Sequence, residues 1–588
     1  MILSSLEIIF FTLLFYFIFY FIGLGLSRLL FESETKIQIY SPWMGIVQTG
    51  LLSIFLGYLN VRSSVSFIIS ILLATIFFIY TRYKKNSIVI LPSFKLFPIT
   101  CLLVLILTSP IILNSKKLTS FSIGNNDLFD YCVTSEYLKK TGLRNYLQDF
   151  GNPPSEKNTT IEERVVSWQI PAPRWLSYYP LSGISSLLKK DTADLFMLYT
   201  IFLFALSFPV LYNFAETSLQ LEGQFRILAV AFSFFNLHLI TILYHGFLPQ
   251  VMGTALFLCF FSLFPDFFNE EKLKWKKGIT LSLFAAGVLA SYLEIFSFLI
   301  FIVFLYSIWK LFKKETAWNL CVKKLGLLAG LILILCPYQT IRFLSIIAFH
   351  AAEIGGGWRV TKHYYLFPFQ TGFFLSKHPE PSLMIEWLLN PILLLFIYFG
   401  IKSVRDKKIL ISLSLPFILA GAIAYSKDWN YRYFKNFTYL YYWAPLLIIK
   451  GGTYLCNKNP LHKTFNGSVK TFLFFLILIG FIRSSMEIYS ATKHAQFIPE
   501  DLKTLSQFKT TPSGSPLLLH GLDFWETLWA GYYLRNNSLL ANSVHPYLRN
   551  DLLLDKDPKS LWQLTKTITY PQSIIYKNGP YYLIKNEK

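Results

Sequence analysis

The sequence predicts an α-helical polytopic membrane protein of about fourteen spans that ends in a small extracytoplasmic α/β domain. Three observations predict it. Charged residues make up only 15% of the 588 positions and hydrophobic ones 54%, whereas soluble domains run near roughly 25% charged. Apolar runs of near twenty residues recur along the chain, the length needed to cross a hydrocarbon core of about 30 Å. From Ile498 onward no run is long enough to do so.

Taken in order, the runs lie at about 7–28, 43–60, 64–81, 96–113, 195–214, 226–243, 246–265, 279–293, 294–311, 325–345, 384–401, 409–425, 437–450 and 469–487. The first, IIFFTLLFYFIFYFIGLGL, lacks a basic start and a small-residue cleavage site, so it reads as a retained span. After Ile498, turn formers cluster in TTPSGSP and KNGPYY, and short β-like stretches such as QSIIYK alternate with helical ones. Three units are expected: N-terminal membrane helices over 1–95, a membrane domain over 96–487 that includes a large loop at 114–194, and the domain 488–588.

The loops fall into two alternating sets. TRYKKN (81–86), NEEKLKWKK (269–277), KLFKK (310–314), KSVRDKK (402–408) and NKNPLHK (457–463) are basic, and the positive-inside rule puts them in the cytoplasm. The other set then faces out: 114–194, 244–250, 291–296, 346–383, 426–436 and everything after 488. A multi-pass protein of the bacterial inner membrane, with its chemistry on the outer side, is the expectation.

The net charge of +21 is spread over these loops, so it reads as orientation bias and contact with anionic lipid, with no nucleic acid as partner. Six scattered cysteines imply neither a disulfide framework nor a zinc site. The runs are nearly free of charge at their centres, which argues against a transporter.

The chemistry concentrates on the outer set. SIGNNDLFDYCVTSEYLKKTG (122–142) leaves a span and places Asp127 and Asp130 within one helical turn. Leu128, Tyr131, Cys132, Ser135 and Leu138 carry helical spacing, Asn125, Asn126 or Asp127 can cap the helix, and Gly142 can end it. Asp127 reads either as a helix-capping carboxylate or as a reactive one. Asp130 would orient a substrate, bind a cation, or stand in solvent. Glu294 interrupts GVLASYLEIFSFLIFIV near the outer boundary, where an ionisable group is a functional candidate. His238 and His245 flank a turn nearby. Cations come from Arg174, from Arg359, Lys362 and His363 in GGGWRVTKHYY, and from Lys427, Arg432 and Lys435 in SKDWNYRYFKN. Each suits a phosphate or a phospholipid head group. YLYYW (439–443) reads as part of an interfacial aromatic belt.

An Asp just beyond a span, Tyr131 four residues on, a short helix and Gly142 resemble the first outer loop of the GT-C glycosyltransferases. Those polytopic enzymes transfer sugars from polyprenyl-phosphate carriers. RWLSYYPLSGISSLL (174–188) is similar to their Tyr/Pro-rich entry into the next helix, and the resemblance covers mainly residues 96–300. Two departures stand out: Leu128 occupies a place where many members have Glu, and three apolar runs precede the span that would come first.

The resemblance implies a GT-C-like membrane fold and an enzyme that works on the outer face, in cell-envelope glycan or glycolipid assembly. Its partners would be a polyprenyl-phosphate-linked sugar donor, a glycan, glycolipid or protein acceptor, and membrane lipids. Asp127 matches the reaction-centre acid, with Asp130 and Glu294 as further catalytic candidates. Tyr131, Arg174, Tyr179, His245, Arg359, Lys362, Lys427 and Arg432 are the candidate substrate contacts. No cofactor is demanded, and a divalent cation is compatible with the paired acids. The alternative is an O-antigen polymerase or ligase, which would lean on outer-loop Arg and His.

Overall fold

The computed structural model describes residues 2–85, 96–124, 127–143, 161–162, 165–166, 174–343, 379–427, 435–436, 438–458, 463–507, 517–535, 539–541, 562–566 and 573–585. Three long helices open the chain: α1 (Ile2–Leu30), α2 (Glu34–Tyr58) and α3 (Ser63–Lys85). The pair α4 (Leu96–Leu107) and α5 (Ser109–Asn114) follows, then a short strand β1 (Phe121–Ser122) and the loop helix α6 (Asp127–Lys140). The chain continues through α7 (Trp175–Leu187), α8 (Thr192–Thr217), α9 (Gly223–Phe234), α10 (Leu237–Tyr244), α11 (Leu248–Phe268) and α12 (Trp275–Ser291). The remaining membrane helices are α13 (Leu293–Phe312), α14 (Trp318–Leu335), the short α15 (Pro337–Ile341), α16 (Pro379–Ser403), α17 (Lys407–Ser426), α18 (Ala444–Lys458) and α19 (Lys463–His494).

Among the described residues nine helices are long and apolar enough to cross a membrane, ten if the bent pair α9–α10 is one span. The other expected runs also fall on helices, most of them broken, bent or short. Run 96–113 breaks at Thr108, because Pro110 has no N–H to give and its ring clashes with the carbonyl four residues back. Run 226–243 bends by 46° between α9 and α10. Ser484 Oγ donates to the freed Phe235 carbonyl at 2.6 Å, and the Asn236 side chain accepts from His238 N at 3.0 Å. With no water at membrane depth, such side-chain partners are what permit a break. Runs 279–293 and 437–450 give the 17-residue α12 and the 15-residue α18, and 384–401 falls within α16.

Burial sorts the helices. α8 and α11 are apolar all round and enclosed on every side, as a central helix should be. α3 exposes Val65, Ile68, Leu72, Ile76 and Ile79, a stripe at helical spacing that suits lipid. Within the bundle, Tyr40 Oη pairs with Ser262 Oγ at 2.7 Å and accepts from Asn213 Nδ2 at 2.9 Å, which ties α2, α8 and α11 by a satisfied polar cluster.

Side-chain contacts divide the loops between two ends. At one end Ser4 donates to the Ser115 carbonyl, Asn114 to the Thr492 carbonyl, and Lys190 pairs with Glu7. At the other, Lys36 pairs with Asp266, Lys277 with Glu270, and Lys310 and Lys408 with Glu315. These are the two sets that loop charge separates.

Past α19 the chain leaves the bundle. Strand β2 (Gln496–Phe497) pairs antiparallel with β1 and ties the loop to the C-terminal region. A helical turn α20 (Glu500–Lys503) follows, then β3 (Leu517–Leu519), α21 (Phe524–Tyr533), β4 (Leu539–Ala541), β5 (Trp562–Thr565), β6 (Ser573–Asn578) and β7 (Tyr581–Lys585). The sheet order is β4-β3-β5-β7-β6, with β3 parallel to β4 and β5 and the β5–β7–β6 pairs antiparallel.

Glycines let α16 and α18 touch backbone to backbone. A Cβ at Gly451 would meet the Phe396 carbonyl, and one at Gly400 the Leu447 carbonyl. A backbone oxygen cannot swing aside, so Gly451→Leu should cost at least the ~1–3 kcal/mol of overpacking. Gly326 on α14 has open space around it among the described residues. Thermal unfolding in detergent should therefore show Gly451→Leu melting well below the parent and Gly326→Leu close to it; equal melting would remove this account of the crossing.

Candidate active site

The site begins with how α6 starts. Gly124 turns the chain at φ +110°, a conformation suited to glycine. Asp127 then stands in the first turn of α6, half-buried, where the positive end of the helix dipole favours a carboxylate. One turn on, Tyr131 is buried and its hydroxyl donates to Asp127 Oδ2 at 3.4 Å. Burial, then the nearby Asp127, push the Tyr131 hydroxyl well above its ordinary value, so it keeps its proton and stays a donor. Asp130 is buried on the same helix, close enough to raise both Tyr131 and Tyr178.

Arg174 caps α7 and reaches two ways. Its Nη1 lies 3.5 Å from Tyr131 Oη, and its Nη2 donates to Glu294 Oε1 at 2.9 Å. Lys435 approaches the same Glu294 oxygen at 3.4 Å. Both cations also stand over the Tyr292 ring, Arg174 at 5.4 Å and Lys435 at 5.0 Å from its centre. Tyr439 donates to Tyr292 Oη at 3.1 Å from behind. Tyr292 and Glu294 occupy this place because the helix breaks there: Tyr292, at φ −154° and ψ 89°, separates α12 from α13. Two cations share that one carboxylate oxygen, and Asp127 and Asp130 add their charges from α6 close by. An oxygen that already meets both is a poor ligand for a metal ion, and no group of three or more His, Cys, Asp or Glu among the described residues is placed to hold one.

The other expected residues lie elsewhere. Tyr179 sits on α7 but points its hydroxyl at Gly57 of α2. His245 ends α10 and is half-buried; the next residue, Gly246, packs against Leu128 of α6. Lys427 stands exposed after α17, with no ion pair among the described residues. Arg359, Lys362, His363 and Arg432 lie outside the described residues. His238 stacks on Tyr441 at 4.4 Å. The residues 439–443, expected as an interfacial belt, are all buried, and one of them backs the site. Tyr292 and Tyr439 were not candidates from sequence, although Tyr292 stands two places before Glu294.

A second charge cluster holds α6 from its far side. Arg535, just after α21, meets Glu136 at 3.1 Å and Glu162 at 2.9 Å, while Lys139 meets Glu136 at 2.6 Å and Lys140 meets Glu162 at 2.7 Å. Tyr532 of α21 donates to Asp191 Oδ1 at 2.5 Å, and Lys503 meets Asp194 at 2.7 Å. Burial and Glu136 push the Asp191 carboxyl up. Burial opposes the charge on Glu136 too, but Lys139 and Arg535 outweigh it and hold that carboxyl low. The C-terminal domain is thereby bolted to the helix that carries Asp127, nine residues or about 13 Å along its axis.

Removing one partner from a buried ion network costs about 3–5 kcal/mol. Arg535→Met should lower the melting temperature sharply and speed proteolytic release of the C-terminal domain, with Arg535→Lys between it and the parent. Parent-like behaviour of Arg535→Met would show that the network holds nothing. His245 supplies a pH test. Burial lowers its pKa from 6.5 to about 4, so its neutral form favours the fold above pH 6.5, and that stability is lost as pH falls through about 4. The melting temperature should drop across that window, and His245→Gln should flatten the drop.

No family model and no curated protein matches the chain. Among solved structures it is similar to ArnT from Cupriavidus metallidurans in the apo state, at 10% identity and a TM-score of 0.47, covering 83% of this chain and 97% of that one. The same protein bound to undecaprenyl phosphate gives 12% identity and a TM-score of 0.44, over 83% and 98% of the two chains. The Archaeoglobus fulgidus oligosaccharyltransferase, in complex with Zn and sulfate, gives 12% and 0.43, over 76% of this chain and 62% of that one.

Proposed function

We propose that the chain is a GT-C-type glycosyltransferase that moves a sugar from a polyprenyl-phosphate donor to an acceptor hydroxyl on the outer face of a bacterial inner membrane. One observation carries the reading. Arg174 and Lys435 converge on Glu294 beside the Asp127–Tyr131 pair, at the end of the bundle where loop charge is lowest. A lipid-linked phosphate lies at that depth, and an acceptor reaches it from water.

The residues divide the work. Asp127 takes the proton of the acceptor hydroxyl, with Tyr131 fixing its orientation. The acceptor oxygen bonds to the anomeric carbon as the bond from that carbon to the phosphate oxygen breaks. The carrier leaves as polyprenyl phosphate and needs no proton, only cations to meet its charge. Arg174 offers two N–H groups to a phosphate in a planar fork, and Lys435 a point charge. Glu294 holds both in place until a phosphate competes for them. No step is routed through a metal ion.

Asn keeps the size of Asp and suits a helix start equally well. Asp127→Asn should therefore express and melt like the parent, yet release polyprenyl phosphate from a polyprenyl-phosphate-linked sugar about 10²–10⁴-fold more slowly, the usual share of proton transfer. Arg174→Ala should abolish binding of polyprenyl phosphate, and Arg174→Lys should restore it in part. An Asp127→Asn protein with parental turnover would refute the base, and intact carrier binding in Arg174→Ala would refute the phosphate site.

A further inference from the structure

At the opposite end of the bundle a cavity of about 460 Å³ opens between the start of α2, the end of α11 and the start of α12. It lies within the size range of ligand sites, roughly 300–1,000 Å³. It is remote from Asp127: α11 begins beside the His245 turn and runs 21 residues to reach it, about 31 Å.

Its walls are held fixed. Lys324 is fully buried on α14 and donates to the Phe268 carbonyl at 2.9 Å and the Glu270 carbonyl at 2.6 Å, pinning the turn between α11 and α12. Two of the four lysines lining the cavity are already paired, Lys36 with Asp266 and Lys277 with Glu270. The other two, Lys274 and Lys276, are exposed and make no ion pair among the described residues. They stand at the start of α12, whose N-cap makes no side-chain cap bond and whose dipole favours an anion there. Glu32 also lines the cavity and leaves its charge modestly positive.

The cavity is amphipathic. Leu30, Leu263 and Leu273 form an apolar wall beneath the lysines, and Trp275 at the rim is 61% exposed, as an indole at a lipid–water boundary is. A free anion would use only the basic rim, whereas a phospholipid would use the wall as well. We propose that this cavity is a binding site for the phosphate head group of an anionic phospholipid in the leaflet opposite the reaction. It is independent of the proposed chemistry, since no residue is shared.

Native mass spectrometry of the detergent-purified full chain tests it, with phosphatidylglycerol, phosphatidylcholine and inorganic phosphate as probes. The parent should retain phosphatidylglycerol over phosphatidylcholine, and millimolar inorganic phosphate should not displace it. Lys274→Gln/Lys276→Gln, which removes charge but keeps side-chain length, should weaken retention about thirtyfold, as expected for two membrane-facing lysines. Lys313→Ala/Lys314→Ala, two lysines at the same end outside the cavity, should leave it unchanged. Undiminished retention in the first variant overturns the site. Equal loss in both variants means general surface charge, and displacement by inorganic phosphate means a soluble-anion pocket; either also overturns it. Carrier binding through Arg174 should survive in both double variants, so the two proposals fail separately.

Discussion

A bilayer offers the chain no hydrogen bonds, and most of this architecture follows from that single constraint. Backbone groups must be paired within helices, so a helix can break only where a side chain or water takes over the freed carbonyls. The breaks seen here obey it. Ser484 covers the carbonyl released between α9 and α10, and the gap between α12 and α13 opens at the end of the bundle. That second break is what delivers Tyr292 and Glu294 to the candidate site. The same constraint sends charge to the two ends and leaves each end with its own electrostatic character.

The end that carries Asp127 contains two charge clusters with different balances. Around Glu136, Glu162, Asp191 and Asp194, acids and cations are matched and Glu136 and Glu162 are buried, which makes a bolt between α6 and the C-terminal domain. Around Glu294, two cations converge on one carboxylate oxygen, with Asp127 and Asp130 close by on α6. α6 runs between them, with Asp127 at one end and Glu136 toward the other. A small sheet domain with a capped helix α21 therefore has a mechanical reason to sit on this bundle: it holds the helix that bears Asp127.

The sequence alone determined that the chain crosses a membrane many times, because composition and the length of apolar runs depend only on local residues. It separated the two sets of loops through lysine and arginine bias, and it singled out Asp127, Tyr131, Arg174, Glu294 and Lys435 as polar residues near one boundary. It could not say which of those meet. Arg174 and Glu294 are 120 residues apart, and only the packing of α7 against the break at Tyr292 joins them. Tyr179, its neighbour Tyr178 and the tyrosines 439, 441 and 442 look alike in sequence, yet one faces Gly57, one packs against Tyr131 and one supports Tyr292. Rotation about a helix axis decides this, and a nearly all-apolar helix carries no periodicity from which to read that rotation. Whether a run crosses unbroken was likewise settled by Pro110, by the turn at Asn236 and by the partners waiting there, because a broken helix is stable in lipid only when the tertiary structure supplies its missing hydrogen bonds.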